Sequence, residues 1–80
     1  MHITVKLYGN LRTYLGGEGD TAQLEVAQGV TVRQFLEQLG IPDGRVWMSA
    51  VNDQVVDGER VLQDGDMLEV FEPVGGGDNG

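Results

Sequence analysis

Eighty residues, 40% of them hydrophobic and 22% charged, suffice for one small domain without a second core and argue against disorder throughout. The chain has no cysteine, which excludes disulfides, thiolate metal sites, iron–sulfur clusters and thiol nucleophiles. The formal net charge is −8, and residues 53–80 supply −7 of it, eight acids against Arg60. Such a balance disfavours nucleic acid and anionic membrane as partners, since both need clustered Lys and Arg, and it suits either a basic protein partner or a plain solubilising surface.

No long apolar run and no basic, apolar leader at residues 1–6 are present, which predicts a cytoplasmic protein. Ile3, Val5 and Leu7 alternate with His2, Thr4 and Lys6, the period of a strand with one buried face. From Tyr8 to Asp20, glycines surround Leu11, Tyr14 and Leu15, which predicts a wide loop holding one helical turn that opens at Asn10. Alternation returns at Ala22, Leu24 and Val26, a second strand that stops at Ala27-Gln28-Gly29.

The best specified element is a helix. Thr31 and Gln34 form a capping box and Val30 can staple onto Phe35. Val32, Phe35, Leu36 and Leu39 then make one apolar stripe, with Gly40 and Pro42 ending the helix. Arg33, Glu37 and Gln38 fall on the solvated side. After a turn at Pro42-Asp43-Gly44, residues 46–51 read as a strand, Asn52-Asp53-Gln54 as a turn and Val55-Val56 as a short return strand, both strands short and peripheral. Asp57-Gly58-Glu59 and Asp64-Gly65-Asp66 are turn signals, and residues 67–71 form the last strand. Leu68 and Val70 take one of its faces, and Met67, Glu69 and Phe71 the other. The order is α+β, with one helix over one face of a small mixed sheet.

Little in the chain suggests independent catalysis. His2 is the single histidine and reads as an exposed strand residue without the partners of a base or metal site. Asp64-Gly65-Asp66 lacks the remaining ligand pattern of a calcium loop, and Gly16-Gly17-Glu18-Gly19 lacks both the lysine of a phosphate loop and the spacing of a dinucleotide fingerprint. No metal site is expected, and the chain reads as the substrate or subunit of another enzyme. Its end is distinctive. Pro73 cannot donate to a ladder, so the strand should stop there, leaving a domain of residues 1–72 and a glycine-rich tail of residues 73–80. Extended, Val74 to Gly77 could reach roughly 13–14 Å into a narrow channel, although glycines at a terminus also fit simple fraying.

Taken together, Val5-Lys6-Leu7-Tyr8-Gly9 with Leu11-Arg12, the helix entry Val30-Thr31-Val32, Ala50-Val51-Asn52, and Leu62-Gln63-Asp64-Gly65-Asp66 running into Phe71-Glu72-Pro73-Val74-Gly75-Gly76-Gly77 resemble the ubiquitin-like sulfur carriers. That family comprises the small subunit of molybdopterin synthase and the thiamine-pathway carrier, and the ending is nearer the former. The resemblance implies a ubiquitin-like β-grasp fold with the first and last strands parallel at the centre of the sheet. It also implies an activating enzyme of the ubiquitin-activating type that uses ATP and Mg to adenylate the terminal glycine, after which a sulfur donor forms a thiocarboxylate. No cofactor is expected on the chain itself.

Carried over by position, Gly76-Gly77 matches the diglycine, Gly77 bears the AMP and then the sulfur, and Gly75 matches the small residue before it. The acceptor is implied to be a molybdopterin synthase large subunit, with thiamine thiazole formation, tRNA thiolation and cysteine synthesis as alternative pathways. A ubiquitin-like modifier or a non-catalytic interaction module is the reading from a different class. One departure stands out: Asp78-Asn79-Gly80 follows the diglycine. The chain is expected to be trimmed to Gly77 by a peptidase, such as a metallopeptidase; the alternatives are Gly80 as the working end or an inactive tail. Phe71, with Met67 and Trp47, is the expected partner-binding surface, an aromatic beside acids at the root of the tail.

Overall fold

The computed structural model describes residues 1–16 and 19–73. Five strands, β1 (His2–Leu7), β2 (Thr21–Glu25), β3 (Met48–Val51), β4 (Gln54–Val56) and β5 (Met67–Phe71), form one sheet in the order β2-β1-β5-β3-β4. The helix α1 (Val32–Leu39) lies between β2 and β3 in the chain. β1 runs parallel to β5 and antiparallel to β2, while β3 is antiparallel to both β5 and β4. A parallel pair cannot be closed by a tight turn, and here nearly the whole chain, α1 included, connects β1 to β5. This is the β-grasp arrangement, with the first and last strands adjacent at the centre.

The alternation of the central strands dictates where the core lies. Ile3, Val5, Leu7, Leu68 and Val70 are all at most 1% exposed and belong to one cluster with Val32, Phe35 and Leu36 of α1. Thr31 caps α1 in both directions: its hydroxyl accepts from the Gln34 N–H at 3.1 Å and its own N–H donates to Gln34 Oε1 at 3.0 Å. Gly40, at φ +85°, ends the helix in the left-handed conformation that glycine adopts without a Cβ penalty.

The loop after β1 is more regular than its glycines suggest. Residues Gly9–Leu15 form a 3-10 helix that begins one residue before Asn10, because Leu11 is fully buried and pulls the segment onto the core. The strand expected from Val46 starts at Met48, since Asp43–Arg45 make a 3-10 turn and the Val46 N–H bonds back to the Asp43 carbonyl. Nor is β3 peripheral: it lies between β5 and β4, and its Ser49, Ala50 and Val51 are buried. β4 alone is the edge on that side, and Gln54 belongs to it because Asn52 and Asp53, at φ 52° and 70°, form a two-residue hairpin turn.

Asp64-Gly65-Asp66 is a turn stitched to the start of the chain. The His2 N–H donates to Asp64 Oδ1 at 2.8 Å, and the Gly65 N–H donates to the His2 carbonyl. Asp66 is buried, accepting from Asn52 Nδ2 at 2.9 Å and from the Gln63 N–H at 2.8 Å. Among the described residues, no helix is long and apolar enough to cross a membrane.

Candidate functional site

The sheet face away from α1 is uncovered, and the parallel register assembles a surface on it. Thr4 pairs with Met67 and Lys6 with Glu69, which aligns the residues of opposite phase to the buried set. The Tyr8 N–H donates to the Val70 carbonyl at 3.0 Å, continuing the ladder one residue beyond β1 and setting Tyr8 beside Phe71. Their rings stack with centroids 4.3 Å apart and 16° between planes. Lys6 Nζ stands 5.1 Å from the Tyr8 ring centroid, a cation–π contact on the same surface.

Electrostatics accompany the stack. The Tyr8 hydroxyl donates to Glu69 Oε2 at 2.5 Å. That hydrogen bond raises the phenol's pKa above its ordinary value, helped by partial burial and by the negative charges of Glu69, Asp20 and Asp53, because each favours the protonated hydroxyl.

Where β5 leaves the sheet, Glu72 is anchored. Its Oε2 accepts from the Asn10 N–H at 2.9 Å, at the start of the 3-10 helix. Gly9, at φ +63°, makes room for that carboxylate: a Cβ there would collide with Glu72 Oε2 and Cδ. The last described residue, Pro73, is exposed. Val74, Gly75, Gly76 and Gly77, with Asp78-Asn79-Gly80, lie outside the described residues, as do Gly17 and Glu18 of the glycine-rich loop.

Of the expected partner-binding residues, the structure brings Phe71 and Met67 together on the open face and separates Trp47 from them. The Trp47 N–H donates to the Phe71 carbonyl at 2.8 Å, so their backbones adjoin. The Trp47 side chain instead lines a groove with Val32 and Leu36 of α1, on the other side of the sheet. Met48, which pairs with Phe71 in the ladder, is the β3 residue nearest the stack in register. Tyr8 and Glu69 were not singled out from the sequence as binding residues. The signal was present in the phase of His2, Thr4 and Lys6, which Tyr8 continues, but it needs the β1–β5 pairing to become a site.

Among protein families, the ThiS family matches residues 5–77, a span that takes in the stack, the Glu72 anchor and the diglycine. The chain belongs to the ThiS family. It is a ubiquitin-like sulfur carrier of that family. No curated protein matched this ThiS-family chain. Among solved structures, it is similar to a protein designated molybdopterin converting factor subunit 1 from Pyrococcus furiosus, with 26% identity, a TM-score of 0.70, and coverage of 91% of this chain and 98% of that one. It shares its fold with small archaeal modifier protein 1 of H. volcanii at 21% identity and a TM-score of 0.70, covering 91% of this chain and 98% of that one. A complex of subunits 1 and 2 of molybdopterin-converting factor from Helicobacter pylori gives 22% identity, a TM-score of 0.61, and coverage of 96% of this chain and 100% of that one.

Proposed function

We propose that the chain carries sulfur as a thiocarboxylate on Gly77 and serves as the small subunit of a molybdopterin synthase. The observation that carries this reading is the ThiS-family match, which continues through the tail to Gly77. The acceptor is argued from the Pyrococcus furiosus protein, similar over 91% of this chain, and from the two-subunit composition of the Helicobacter pylori complex. The chain acts as substrate and subunit rather than as an enzyme. Its lack of cysteine is compatible with sulfur transfer because the attachment atom is a main-chain carbon.

In the proposed sequence, a peptidase first breaks the Gly77–Asp78 bond, since Gly77 has no free carboxylate while that bond stands. The freed carboxylate attacks the α-phosphorus of ATP on an activating enzyme of the ubiquitin-activating type, and pyrophosphate leaves with Mg balancing its charge. Sulfur delivered at the sulfide level by a donor then attacks the acyl carbon and displaces AMP. The resulting thiocarboxylate enters the large subunit, with the Tyr8–Phe71 stack and Met67 as the docking face. Glycines at the reacting end keep the channel narrow by lacking Cβ atoms.

The test compares the full chain with a form ending at Gly77. The shorter form should support ATP–pyrophosphate exchange with its activating enzyme, and the full chain only after a peptidase is added. Mass spectrometry of the protein from its native cell should then show one oxygen exchanged for sulfur at the terminal carboxylate. A full chain activated at Gly80 as fast as the short form at Gly77 overturns trimming. Recovery as branched lysine adducts without thiocarboxylate overturns the carrier role in favour of a modifier.

A further inference from the structure

On the helix side of the sheet, away from the Tyr8–Phe71 surface, a groove runs between α1 and the β3–β4 edge. Two adjoining depressions form it, of about 150 and 190 Å³, and they share Arg33, Leu36, Asp43 and Val46. Val32, Leu36, Val46 and Val56 supply the apolar part of its lining, beside the polar Arg33, Asp43, Ser49 and Asp57. Trp47 stands in its wall and is 62% exposed, the largest side chain of the protein left mostly in water.

The charges in this lining are lopsided. Asp43 and Asp57 line the groove, and Glu37 lines its second depression. The one cation in its wall, Arg33, is paired with Glu59. Neither Asp43, Asp57 nor Glu37 has an ion pair among the described residues, and Asp57 engages one carboxylate oxygen locally, accepting from the Glu59 N–H at 2.9 Å. Arg45 is on the same turn as Asp43 but does not line either depression. The groove therefore combines apolar side chains, an exposed Trp47, the Glu59-paired Arg33, and carboxylates that have no ion pair among the described residues.

We propose that this groove docks an arginine-bearing segment of a partner protein. An arginine matches each part of it. The methylene stem lies on the apolar side chains, the planar guanidinium stacks on Trp47, and its forked donors reach the carboxylates of Asp43 or Asp57. A lysine ammonium offers a point charge without the planar stack, and an acidic or neutral segment leaves the carboxylates uncompensated. The net charge of −8 draws a basic segment toward the surface as a whole, and the groove supplies the contact that selects arginine. Since Trp47 and Phe71 are joined by a backbone hydrogen bond but present opposite faces, the segment binds beside the root of the tail while the Tyr8–Phe71 face stays free.

The experiment uses the full chain, labelled with ¹⁵N, and a blocked pentapeptide carrying arginine between two valines, with a second peptide in which citrulline, its neutral isostere, replaces arginine. Saturable shifts are expected at the Trp47 indole, Val46 and Gly58, with the Tyr8–Phe71 face unmoved. Citrulline should weaken binding by about tenfold, as should Trp47→Leu, which alters a mostly exposed side chain. Asp43→Asn with Asp57→Asn should weaken it by about tenfold and flatten its salt dependence. Equal binding of the arginine and citrulline peptides, shifts centred on Tyr8 and Phe71, or no saturable change up to about 5 mM peptide would each overturn the proposal.

Discussion

Tyr8 and Phe71 stack face to face at 4.3 Å although they come from the two ends of the folded chain, and the parallel pairing of β1 with β5 is what brings them together. The stack is the aromatic centre of the uncovered face and lies two residues before Pro73. It is expected to contribute to stability and, on the proposed function, to docking. Phe71→Ala is expected to cost about 1–2 kcal/mol, part from the aromatic pair and part from lost burial. Urea unfolding measures the first effect and titration with the activating enzyme the second. Unchanged affinity in a folded Phe71→Ala protein would remove this face from the interface.

Gly9→Ala should destabilise the protein by about 1–3 kcal/mol, because it forces a side chain into φ +63° and drives its Cβ into the Glu72 carboxylate. Glu72→Ala should relieve the collision and leave the backbone strain. The double variant is therefore expected to be less destabilised than the sum of the single ones, a coupling that denaturation of all four proteins measures. Additive losses would mean that the contact between Gly9 and Glu72 is not felt.

Tyr8 sets an alkaline limit. Its pKa is raised in the folded protein above 10.0, chiefly by the hydrogen bond to Glu69. The folded state thus holds this proton more tightly than the unfolded state does. The associated stability is complete below the unfolded value and is lost as pH rises through the folded one. In a Tyr14→Phe background, which leaves Tyr8 as the single tyrosine, tyrosinate absorbance should report the raised value, and Glu69→Gln should bring it back toward 10.0.

Asp66→Ala should be costly for a residue of a turn, about 2–3 kcal/mol, since it leaves the Asn52 amide and the Gln63 N–H without their acceptor. The nearby Arg60, at 3.6 Å and with its side chain partly in water, adds little to that figure. Thermal or urea unfolding checks the size, and Asp66→Asn, which keeps an acceptor oxygen, should recover part of the loss.

Local order was legible wherever one residue type answers one physical demand. The capping box at Thr31 and Gln34, the stop at Gly40 and the phase of Leu68 and Val70 in β5 each follow from spacings of a few residues. Val46 and Trp47 misled because a β-branched and an aromatic residue read as strand, whereas the 3-10 turn at Asp43–Arg45 consumes the backbone before Met48.

The amino-acid order alone determined which face of the first and last strands is buried, the bounds of the helix, the acidity of the C-terminal third and the glycine run around Gly77, since all of these are properties of neighbours in the chain. Only the tertiary structure decided that Tyr8 joins Phe71, that Gly9 must stay bare beneath Glu72, and that Trp47 faces a groove rather than the open sheet. The physical reason is that periodicity reports the side a residue takes but not the partner it meets there. That partner is set by strand order and register, which here depend on a parallel pairing between the first and last strands of the sheet.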